Sequence, residues 1–166
     1  MILSMIRRYK KWNQTQKALS EKIKLQKADL AARETLGDLG FKMDMAEIDI
    51  DCLKNALEWH ETHRGVLPWK SKEDDMGYEP LFGVKNLSSE FQRASRYLER
   101  SMPDLARSED VLEQLRVLDA DKAEQIEAQY CPVNPAQRHK ELRSDLQALR
   151  EKAKIVIGAD IALTPS

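Results

Sequence analysis

Residues 2–36 repeat apolar and aromatic side chains at the seven-residue period of a packing helix, and this constrains the chain more than any other feature. With Ile2 at position a, the a positions are Ile2, Tyr9, Gln16, Ile23 and Leu30, and the d positions are Met5, Trp12, Leu19, Gln26 and Arg33. Seven of these ten are apolar or aromatic, and neither Pro nor Gly interrupts the run. The pattern predicts one continuous helix of roughly 50 Å at about 1.5 Å per residue. A helix of that length cannot bury its stripe alone and needs a partner from this chain or another.

The glycines that follow set the next expectation. Gly37-Asp38-Leu39-Gly40 supplies residues that tolerate the left-handed backbone of a helix end, so the first helix is expected to stop there. Asp44 is placed to cap a second helix, with Glu47 three residues on as its capping-box partner. Met45, Ile48, Cys52, Ala56, Trp59 and His63 then step by three and four, with Ile50, Leu53 and Leu57 widening the apolar face. A short connection predicts an antiparallel hairpin over residues 1–63.

Charge bears on the same hairpin. The net charge of −1 conceals eight Lys or Arg against one Glu in residues 1–27, and three against nine acidic residues in 28–63. The two helices are expected to face one another and neutralise. Alternatively, the basic half is an arm for nucleic acid, with Arg7, Arg8, Lys10, Lys11 and Lys17 as its contacts, or for an acidic membrane surface. The acidic helix expected to follow opposes that use, because it would repel phosphate.

Residues 64–87 read as a loop. Two Pro, three Gly and an acidic cluster surround Trp69, Tyr78 and Phe82, and three aromatics need a surface to pack on. Helices resume over 88–157, with Ser88 or Ser89 as a cap, Pro103 opening a short segment and Ser108 capping another. Asp119 or Asp121 starts a helix to Tyr130, and Cys131-Pro132-Val133-Asn134-Pro135 is a firm break. Asn134 then caps a last helix whose stripe is Leu142, Leu146, Leu149, Ala153 and Val156, and a tail of 158–166 follows.

Catalytic constellations are scarce. His60 and His63, three apart on one face, offer the alternative of a metal-dependent enzyme, but no convincing third ligand accompanies them, and the spacing is not that of zinc peptidases. Neither Glu-x-x-His pairs, a Gly-rich phosphate loop nor a Gly-x-Ser-x-Gly elbow is present. Cys52 reads as a buried small hydrophobe, and two cysteines fit a reducing cytoplasm or an intracellularly assembled particle. No purely apolar run is longer than the three residues of Ile155 to Ile157, far below the roughly 20 residues of a membrane span. The stretch Leu36 to Phe41, downstream of an Arg- and Trp-bearing helix, resembles part of a short Arg-rich bacterial domain over less than a third of the chain. It departs from that domain where an Arg would follow the glycines, and no site is carried over from it.

The expectation from sequence is therefore an all-α protein: a long N-terminal helical hairpin, coiled-coil-like, plus a smaller C-terminal set of helices. The expected role is non-enzymatic and free of cofactors, an oligomerising or adaptor component of a larger phage or bacterial assembly. Tyr9, Trp12, Leu19 and Ile23 would pair helices, and Trp69, Tyr78 and Phe82 would meet a protein partner.

Overall fold

In the computed structural model, residues 2–62 and 84–157 are described, and they form four helices: α1 (Ile2–Thr62), α2 (Val84–Leu118), α3 (Ala120–Tyr130) and α4 (Pro135–Ile157). The chain is all-α, with a long N-terminal helix and a smaller C-terminal helical set. The expected turn at 37–40 is not taken: α1 runs through Gly37 and Gly40 to Thr62, so residues 2–62 form one helix and not a hairpin. Asp44 and Glu47, expected to cap a new helix, lie in its interior and face Arg138 of α4.

Burial explains why the glycines do not break the helix. Each Gly costs about 1 kcal/mol relative to Ala in a helix interior. Against that, Leu36, Leu39 and Met43 on the same turns are buried, and each such side chain is worth about 1.5–3 kcal/mol. Ala32, Leu36, Leu39, Met43, Ala46, Ile50, Leu53 and Leu57 form an unbroken buried series stepping by four and three. A reversal at 37–40 would cut that series in half.

The helices sort into two compact units, Met1–Gly37 with Ala106–Pro132 and Asp38–Leu105 with Val133–Ser166. The first has a core of Ala32 and Leu36 from α1, Val111, Leu112 and Leu115 from α2, and Ala123 and Ile126 from α3. Asp119 caps α3 as expected, its carboxylate accepting from the Lys122 backbone N–H at 3.0 Å. Lys122 also reaches Asp29 at 3.4 Å, tying α3 to α1.

The second unit packs three heptad-spaced faces. Leu39 to Leu57 of α1 meet Leu87, Phe91, Ala94 and Leu98 of α2, and Leu142, Leu146, Leu149 and Ala153 of α4. The stripe expected for α4 is thus its buried face, except that Val156 is only half-buried. Asn134 caps α4 by accepting from the Gln137 N–H at 3.1 Å, while the Gln137 side chain turns forward to Glu141 instead of closing a box.

Two expectations for the middle of the chain change. The loop expected to reach residue 87 ends earlier, since α2 begins at Val84 and Leu87 is fully buried. The separate helices expected to start at Pro103 and Ser108 are one helix, with Pro103 inside α2. Proline removes one backbone hydrogen bond there, but flanking buried residues on the same face, Leu98 and Ser101, hold the helix together.

Candidate interaction seam

The N-terminal part of α1 differs from the rest of the helix in having no cover. Every described residue from Leu3 to Lys24 is exposed. Tyr9 is 63% exposed, Trp12 57%, Leu19 51% and Ile23 43%. Together with Met5 and Leu30 they form the apolar a/d seam read from the sequence from residue 5 onward, and all six face outward. Tyr9 and Trp12, three residues apart, stack their rings at 6.2 Å with a 27° interplanar angle.

The exposed seam and the buried series use different faces of the same helix. Within the first unit, at about 100° per residue, Leu19, Ile23 and Leu30 lie roughly opposite the buried Ala32 and Leu36 around α1. The seam therefore does not run on into the core. It is a second apolar face that this chain builds and leaves bare among the described residues.

The same stretch is basic, with Arg8, Lys22 and Lys27 beside the seam and the other cations on the far side of the helix. Arg7, Arg8, Lys10, Lys11, Lys17, Lys22, Lys24 and Lys27 make no ion pair among the described residues, so the expected neutralisation by the acidic half of α1 does not occur. One continuous helix cannot fold back to pair its own halves. The acidic half takes its cations from α2 and α4 instead: Arg93 to Asp49 at 3.0 Å, Lys152 to Glu61 at 3.0 Å, and Arg138 to Asp44 and Glu47.

The remaining residues singled out from the sequence are not brought together. Trp69, Tyr78, Phe82 and His63 lie outside the described residues. His60 is half-buried with its ring edge-on to Trp59 at 5.2 Å. Among the described residues no group of three His, Cys, Asp or Glu side chains could hold a metal, and no helix is long and apolar enough to cross a membrane.

Cys52 is corrected: it is exposed, not buried. The buried face of α1 in this region is Ala46, Ile50, Leu53 and Leu57, so the stripe through Met45, Ile48, Cys52 and Trp59 turns away from the core. Burial, then the carboxylates Glu90 and Asp49, still push the Cys52 thiol up.

Sequence reading missed a polar cluster beside Cys52. Asp49 is buried and accepts from Arg93 Nη2 at 3.0 Å and Nε at 3.3 Å, with Glu90 3.9 Å from the same guanidinium. The hydrogen bond that Arg93 donates to Asp49 raises the Arg93 pKa, and burial raises that of Glu90. His139 was also missed. It is buried with Nε2 3.0 Å from the Leu98 carbonyl, which also accepts from Ser101 Oγ at 2.7 Å. Its place three residues before Leu142 on the inward stripe of α4 was the available signal. No known protein family, curated protein or solved structure matches the chain.

Proposed function

We propose that this is a non-enzymatic helical interaction protein, an oligomerising or adaptor component of a larger assembly, working through the Tyr9, Trp12, Leu19 and Ile23 seam. The observation that carries the reading is a heptad-spaced apolar face exposed along the N-terminal part of α1. Each of its larger side chains gains about 1.5–3 kcal/mol on burial. Six of them reach the order of 10 kcal/mol, against an association cost of about 4–15 kcal/mol. Pairing on that scale is dependent on concentration. Light scattering of the chain, 19.1 kDa as a monomer, tests it. The expected mass rises above the monomer with concentration, and the double variant Trp12→Ala, Ile23→Asp returns it to the monomer with unchanged far-UV circular dichroism. A chain that stays monomeric throughout removes the oligomerising reading.

A nucleic-acid-binding role for the arm is the second reading, supported by eight arm cations without an ion pair among the described residues. Titration of duplex and single-stranded DNA with rising salt decides it. Counterion release predicts a steep, log-linear loss of affinity if Arg7, Arg8, Lys10, Lys11 and Lys17 bind phosphates. Binding that is absent, or insensitive to salt, rejects it.

A further inference from the structure

We infer that the seam of one copy packs on a second apolar stripe carried by α1 of another copy, formed by Phe41, Met45, Ile48, Cys52 and Trp59. The inference rests on the seam being an association surface and names its occupant. The stripe steps by four, three and four from Phe41 to Cys52, and Trp59 follows one heptad later. Phe41 is 59% exposed and Ile48 54%, Cys52 is exposed, and Met45 and Trp59 are half-buried. Phe41 and Ile48 lie opposite the Leu39 to Leu57 face of the same helix. The helices α2 and α4 cover that other face, and among the described residues Phe41, Ile48 and Cys52 stay exposed along the stripe.

Charge selects this occupant over a pairing of two seams. Residues 1–27 hold eight basic residues against one acidic, whereas residues 38–62 hold seven acidic against two basic. Asp38 and Glu58 make no ion pair among the described residues. Two seams side by side in register would set basic arm against basic arm, with Lys22 of one helix facing Lys27 of the other across the g-to-e position. Seam on stripe sets the basic arm against the acidic half of α1 instead, where Asp38 and Glu58 are the carboxylates without an ion pair among the described residues.

The two patterns also interlock. With the helices antiparallel, Leu19 falls opposite Cys52, Ile23 opposite Ile48, and the amides Gln16 and Asn55 opposite one another. With the helices parallel, Ile23 falls opposite Cys52, and Gln26 takes the place opposite Asn55. In each register one amide of the seam meets Asn55, and the other, Gln26 or Gln16, falls opposite the flexible Met45 side chain. The two surfaces are unlike, so the contact is heterologous and continues from copy to copy as a ring or an open filament.

Disulfide trapping between two distinguishable chains tests this. One chain carries Leu19→Cys, or in a parallel experiment Ile23→Cys, with Cys52→Ser and Cys131→Ser, and a size tag. The other keeps Cys52 as its one thiol through Cys131→Ser. All substituted side chains except Cys131 are exposed, and circular dichroism of each variant checks the fold. Oxidation is run in alkaline buffer, because the Cys52 thiol is pushed up. The expected product is the mixed species of tagged and untagged chain, from position 19 if the helices are antiparallel and from position 23 if parallel. A tagged-to-tagged product in its place means that seams pair with seams, which overturns this inference and leaves the association reading standing. No cross-link from a chain that light scattering finds monomeric overturns both.

Discussion

Glu90 is half-buried beside Asp49 and Arg93, and burial raises its pKa above the ordinary value of 4.5 despite the guanidinium. The folded chain thus holds this proton more tightly than the unfolded chain does. Its contribution favours the fold below 4.5 and is lost as pH rises through the folded value. Glu90→Gln, which keeps the shape and removes the ionisation, is expected to raise the thermal midpoint at neutral pH and to leave it nearly unchanged in acid. Equal effects at both pH values would show that the carboxylate is not the cause. At the centre of the same unit Phe91 is fully buried between α1 and α4. Phe91→Ala is expected to lower unfolding free energy by about 3–5 kcal/mol in denaturant titration.

Among the elements, the glycines of α1 separate a helix from a turn. A Cβ at Gly40 meets nothing within 4 Å, and one at Gly37 meets Tyr130 Cε1 at 3.7 Å, an ordinary contact. Gly40→Ala is therefore expected to stabilise the protein by about 1 kcal/mol, and Gly37→Ala by a similar amount. In a turn with left-handed backbone both would destabilise. Helix content, the caps at Asp119 and Asn134 and the inward stripe of α4 were legible because each is set by residues within one or two turns. The run through Gly37 and Gly40 was not, because local glycine propensity is outweighed by Leu36, Leu39 and Met43 packing on residues distant in sequence. For the same reason Met45, Ile48, Cys52 and Trp59 were assigned inward: both stripes of α1 step by three and four, and periodicity alone does not say which one α2 and α4 cover. The N-terminal seam was legible as a pattern, while its exposure depends on where the other helices pack, which periodicity does not encode.

For the molecule as a whole, α1 does two things. Its residues from Leu25 onward supply packed faces to the cores, and the residues before them supply an apolar face with no cover among the described residues and a charge of seven basic residues against one acidic. A helix with no tertiary contact owes little stability to propensity alone. The arm is expected to fray in a dilute single chain and to become rigid once its seam is covered. Amide hydrogen exchange over residues 3–24, followed as a function of protein concentration, reads this directly. The account predicts fast exchange at high dilution and protection that grows with concentration, and that disappears again with Ile23→Asp. Exchange that is the same at every concentration and in that variant would contradict it.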